Sequence, residues 1–259
     1  MKKIILIIIV IVIAWFGYEF FINKSSTSDS DSDSNIVDNN HVLNPSIKTE
    51  NITEENNEKR YGINIDLAVV ENIDNPEKAN AFIKNKVDEI VNKFKENIDD
   101  WEVSSDLDSE MKSGLWIKFE EHLLTKDYVS LRLTVSEYLI GVAHPNNYSF
   151  PLNYNLKELD GIKLDDIFNV NQEEYLSRIS KLALIDLEDQ FKALDIDPDT
   201  IMFKSGVEPK IENFSNFNLT KNGIIFNFDQ YQIAPYAAGE FHVIIPYEEL
   251  TDIVINIEN

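Results

Sequence analysis

The chain contains no cysteine, which excludes a disulfide framework, thiolate metal sites, a cysteine nucleophile and lipidation at a cysteine. Histidine is almost as scarce. Of the four, His41 lies in a polar stretch, and His122, His144 and His242 are scattered without the spacing of a zinc-binding motif. Positive charge is short as well: 23 Lys and Arg face 46 Asp and Glu, a net −23 over 259 residues, so nucleic acid would be repelled. The short motifs of serine hydrolases, P-loop proteins and dinucleotide-binding folds are missing. Asp195-Ile196-Asp197-Pro198-Asp199 begins like a calcium loop, but Thr200 and Gly206 stand where an EF-hand needs Gly and Glu. No catalytic residue, metal or cofactor is therefore expected, and the chain reads as a non-enzyme. What is present is enough for a core, with 43% hydrophobic and 11% aromatic residues.

The chain is organised in segments. After Lys2 and Lys3, residues 4–22 are apolar except for Glu19, and at about 1.5 Å per helical residue they reach roughly 28 Å, the thickness of a bilayer core. Trp15, Phe16, Tyr18, Phe20 and Phe21 crowd the far end, as interfacial aromatics do. Ala14-Trp15-Phe16-Gly17 is too bulky at the key positions for signal cleavage, so residues 1–24 are expected to be a single-pass anchor. The two lysines keep the N-terminus cytoplasmic and the remainder extracytoplasmic. Residues 25–60, rich in Ser, Asp and Asn, read as a disordered acidic tether. Beyond Arg60 stand 17 basic and 37 acidic residues, so the acidity belongs to the globular part, at a formal −20.

From Tyr61 onward the periodicity alternates between strand and helix. Residues 62–69 alternate as a half-buried strand, and Asn75-Pro76 offers an N-cap and N1 proline to a helix reaching Ile98. Strand patterns follow at 115–119, 129–138 and 148–154, clearest where Val129, Leu131, Leu133 and Val135 alternate with polar residues. A helical turn at 164–168 and a helix over 173–194 precede strands at 214–219, 224–228 and 241–245. The expected fold is α+β, antiparallel sheet with helices on one face. Residues 61–110 are expected to form a smaller N-terminal α/β part and residues 111–259 a C-terminal α+β domain.

Acidic neighbours such as Glu120-Glu121 and Asp165-Asp166 point to different faces of their elements and read as solvated surface. Two loops differ: Gly141-Val142-Ala143-His144-Pro145-Asn146-Asn147, and Ile233-Ala234-Pro235-Tyr236-Ala237-Ala238-Gly239. Turn chemistry explains their Gly, Pro and Ala. The alternative account is that small residues leave a concave floor rimmed by His144, Tyr231 and Tyr236.

The stretch from Phe226 through Ala234-Pro235-Tyr236-Ala237-Ala238-Gly239 to Ile245-Pro246-Tyr247 resembles bacterial extracytoplasmic domains of the RsiV type. Those form the lysozyme-sensing part of an anti-sigma factor, and similar domains precede some peptidoglycan deacetylase catalytic domains. The 141–146 loop, Tyr154-Asn155-Leu156 and Leu164-Asp165-Asp166-Ile167-Phe168 fit as well, while Val142 replaces a glycine common in that family. Three residues before the apolar run leave no room for a sigma-binding segment, so sigma binding is not expected.

The resemblance implies recognition of lysozyme or a related cell-wall hydrolase, and a formal −20 suits a cationic partner. Expected ligand-binding residues are His144, Asn146, Tyr231, Pro235, Tyr236 and Gly239. The competing expectation is a peptidoglycan or cell-wall glycan-binding domain using Trp101 and Trp116, which strand context equally suits to a core.

Overall fold

A computed structural model describes residues 44–102, 108 and 110–254. The expected anchor, and the tether as far as residue 43, lie outside the described residues. Among the described residues no helix is long and apolar enough to cross a membrane.

Six strands form the first sheet in the order β1 (Ser46–Asn56), β2 (Tyr61–Glu71), β3 (Ser113–Leu124), β4 (Tyr128–Tyr138), β5 (Asn146–Asn155) and β6 (Asp160–Gly161). Every neighbouring pair is antiparallel except β2 and β3, which run parallel, so the expected antiparallel sheet is a mixed one. The cause is α1 (Pro76–Asp100), which carries the chain back along the sheet between the two strands. Parallel pairing needs such a crossover.

Residues 46–56, placed by the sequence in the tether, form β1 along the full length of β2. An edge strand buries little, so its polar composition hides it. The expected boundary at 110/111 falls inside this sheet. One core joins Ile63, Ile65, Leu115, Ile117 and Leu131 to Ile83, Val87, Ile90 and Phe94 of α1, and a second begins at Leu164. At the start of α1, Asn75 sits at the N-cap position in the left-handed region (φ 52°) with no side-chain cap. Asn80 instead ties the helix to β2, accepting from Val70 N (2.8 Å) and donating to Val70 O (3.0 Å).

The second core packs α2 (Gln172–Ala193) on a three-stranded antiparallel sheet of β7 (Phe217–Leu219), β8 (Gly223–Phe228) and β9 (Phe241–Pro246). Two short helices, α3 (Ile201–Gly206) and α4 (Ile211–Phe214), connect α2 to β7. Leu187 and Phe191 of α2 are fully buried, and Phe191 meets the Phe203 and Phe241 rings at 4.5 and 5.0 Å. Each such side chain contributes about 1.5–3 kcal/mol by burial.

The two sheets meet through polar groups. β7 turns its free edge toward the non-helical face of β4 and β5, where Ser130 Oγ accepts from Leu219 N (3.0 Å) and Asn153 Nδ2 donates to Phe217 O (2.9 Å). Asn218 of the same strand donates to Ser130 Oγ and Leu131 O. These side chains satisfy an edge that would otherwise pair with another strand.

Candidate functional site

β8 and β9 are joined by a loop whose two stems are fastened to the large sheet. At one stem Asp229 accepts from Ser149 Oγ (2.7 Å), Ser149 N (3.3 Å) and Asn216 Nδ2 (3.3 Å). Burial pushes its carboxyl above the usual range, opposed by the Ser149 hydrogen bonds. At the other stem Glu240 pairs closely with Arg132, which is 5% exposed and lies 3.9 Å from Glu120. His122 and His242 stand 3.8 Å from Glu120 and Glu240 respectively. Both imidazoles are held below their ordinary pKa, chiefly by burial, with the Arg132 charge adding to it.

Between the stems, Ile233 and Ala234 plug into the core while Tyr231 and Pro235 are exposed. Tyr231 adopts φ 70°, a left-handed conformation unusual for an aromatic residue. Gly239, at φ 81° and ψ −157°, occupies a region open essentially to glycine alone. Its role is the bend that brings Glu240 to Arg132.

The other loop meets this one. The His144 ring stacks on Tyr236 (centroids 4.0 Å apart, 28° between planes), and Tyr236 lies 5.8 Å from Tyr231. Asn147 Nδ2 donates to the Tyr236 hydroxyl at 3.2 Å. Of the residues expected from sequence, His144, Tyr231 and Tyr236 thus form one aromatic file. Pro235 opens the short helical turn that carries Tyr236, Gly239 closes it, and Asn146 lies instead on the far side of the 141–147 loop.

On that far side is a cavity of about 400 Å³ lined by Asn97, Glu137, Leu139, Val142, His144 and Asn146. Glu137 is 9% exposed, and it accepts from Asn97 Nδ2 (2.8 Å) and from the Tyr148 hydroxyl (3.2 Å). Burial and the nearby carboxylate push the Tyr148 phenol far up, which keeps it a donor. Among the described residues no basic group lies within ion-pair distance of Glu137. A buried carboxylate ordinarily has a cationic partner. Glu137 is absent from the residues expected from sequence, yet it continues the odd-numbered core positions Val129, Leu131, Leu133 and Val135. A Glu on that period was the available signal.

Trp101 and Trp116 are surface residues rather than core, at 40% and 42% exposure. Trp101 Nε1 donates to Ile140 O at 2.9 Å, whereas Trp116 lines a groove on the non-helical face of the large sheet. Among the described residues no three His, Asp or Glu side chains are grouped to hold a metal.

Residues 165–248 match a family described as "Protein of unknown function (DUF3298)"; they contain α2, the small sheet and the fastened loop. Over 202 residues, 77% of this chain, the sequence is 28% identical to the peptidoglycan-N-acetylmuramic acid deacetylase PdaC of Bacillus subtilis. That match spans 40% of the curated relative's length. A crystal structure of a DUF3298 family member from Bacteroides fragilis superposes with a TM-score of 0.55 at 20% identity, covering 83% of this chain and 94% of that one. Another from Pseudomonas aeruginosa gives 0.55 at 17%, covering 82% and 94%. These two share the fold.

Proposed function

We propose that the chain is a non-catalytic extracytoplasmic binding module of the cell wall, held at the membrane by residues 4–22, whose partner is lysozyme or a related cationic hydrolase. The observation that carries the reading is Glu137: a buried carboxylate with no cationic partner among the described residues, facing a cavity whose rim includes His144. A lysine or arginine side chain entering there would complete the ion pair, and removing one partner of such a desolvated pair costs about 2–5 kcal/mol. The Tyr231–Tyr236–His144 file beside it, exposed at Tyr231 and His144 and half-buried at Tyr236, supplies rigid aromatic contact area. Three further features support the reading: the formal −20 beyond Arg60, the RsiV-type resemblance of residues 226–247, and the similarity to part of a peptidoglycan deacetylase. Occupying a hydrolase's surface in this way makes the module a sensor, decoy or inhibitor.

Calorimetric titration of the full-length chain with lysozyme, at low and moderate salt, tests this. Saturable binding is expected that persists at moderate salt and weakens at least tenfold in Glu137→Gln and in Tyr236→Ala. Absence of heat, association abolished by moderate salt, or affinity unchanged in both variants refutes it.

A further inference from the structure

A second surface lies apart from the Glu137 cavity, on the face of the large sheet opposite α1. The pairings place Thr53, Asn64, Trp116, Ser136 and Asn147 in one transverse row across five strands. Paired residues point to the same face, so this row is one indole set among hydroxyl and amide side chains. At about 4.8 Å between strands it extends roughly 19 Å, enough for several sugar rings.

The indole lies flat. A methyl carbon added at Gly114 would fall 2.1 Å from Trp116 Cη2 and 2.5 Å from Cζ3, so the six-membered ring rests directly over the Gly114 backbone. Gly62 pairs with Gly114 on the neighbouring strand and has open space where a side chain would be. Two glycines abreast inside strands are unfavourable for a sheet and mark a place where something approaches the backbone closely. Here one holds the ring down, and the other leaves a recess next to it. Trp116 remains 42% exposed, so part of the indole is accessible to solvent.

Beside Trp116 is a groove of about 410 Å³, walled by Lys118, Thr134, Ser136, Asn147, Gln230 and Glu240. An exposed aromatic platform in a row of hydroxyl and amide side chains, with Lys118 and Glu240 at the groove wall, matches a sugar whose apolar face stacks while its hydroxyl and acetamido groups hydrogen-bond. The negative charge of the chain disfavours an anionic polymer on the same surface.

From this geometry we infer a glycan-binding site centred on Trp116 that takes an uncharged chain of N-acetylated hexosamines. It is independent of the Glu137 cavity. The test titrates the full-length chain with a tetramer of N-acetylglucosamine, followed by calorimetry and tryptophan fluorescence. Saturable binding with an indole emission shift is expected. It should fall at least tenfold in Trp116→Ala, recover partly in Trp116→Phe, and be unchanged in Trp101→Ala and Glu137→Gln. Gly114→Val, which lifts the ring while keeping it, should weaken binding as Trp116→Ala does. Failure of the tetramer to saturate at millimolar concentration, equal affinity in Trp116→Ala, or preference for a glycerol-phosphate polymer overturns the inference. Loss of lysozyme binding alone leaves it standing.

Discussion

Replacing Asn153 by alanine is expected to cost the fold about 2–4 kcal/mol, and the figure follows from which groups lose partners. Asn153 is buried in β5, donates to Phe217 O (2.9 Å), and accepts from Ser130 Oγ (2.7 Å) and Leu219 N (3.2 Å). Without it the Phe217 carbonyl is stranded against the large sheet, at about 1–3 kcal/mol for an unsatisfied buried group, and the Ser130 hydroxyl loses its acceptor at about 1 kcal/mol more. Leu219 N is spared because Ser130 Oγ still accepts from it at 3.0 Å. Ser130→Ala is milder, about 1–2 kcal/mol, since Leu219 N keeps Asn153 and Asn218 Nδ2 keeps Leu131 O at 2.7 Å. The assay is urea unfolding of the full-length chain by circular dichroism, with slopes unchanged between variants. Amide exchange supplies a sharper readout: Leu219 N–H should stay protected in either single variant and lose protection only in the double. An Asn153→Ala cost below about 0.5 kcal/mol, the range of an ordinary surface change, refutes the claim that β7 is held by these side chains.

Acid should weaken the fold before carboxylates titrate. His122 and His242 have folded pKa values below their ordinary 6.5, so the unfolded chain binds more protons, and stability falls as pH drops below about 6.5 toward those lowered values. Thermal melts between pH 7 and 5 should show this slope, flattened in a His122→Gln/His242→Gln variant; a flat wild-type profile counts against it. Asp229, with its raised pKa, acts the other way at lower pH, its protonation easing a burial penalty. Tyr231→Gly should raise unfolding stability by about 1 kcal/mol, by relieving a left-handed aromatic residue, while weakening lysozyme binding. Lower stability in that variant would mean the exposed ring contributes packing. Gly114→Ala should red-shift tryptophan emission as the indole is pushed off the sheet, and an unshifted spectrum would show that the ring does not rest there.

Much of the architecture is legible in the residues. The β4 alternation marks a half-buried strand, and the apolar spacing of α1 and α2 marks helices with one buried face. Strand direction is not, because alternation says which face is buried and nothing about which way a neighbour runs. Parallel pairing of β2 with β3 therefore escapes notice even with the helix between them recognised. β1 escapes for a different reason: Ile47 and Ile52 are its only large apolar residues, sufficient for an edge. The aromatic file draws attention through its loop composition and family resemblance. Its supports do not, because Arg132 and Glu240 are brought together from positions 108 residues apart, which no local pattern encodes.

Fastening both stems of the 230–239 loop also has a kinetic side. The configurational freedom of the loop is surrendered when the chain folds and not when a partner arrives, so association carries little ordering penalty. Encounter with such a preformed surface is governed by diffusion and long-range charge, and differences in affinity among partners then reside mainly in how long each stays bound.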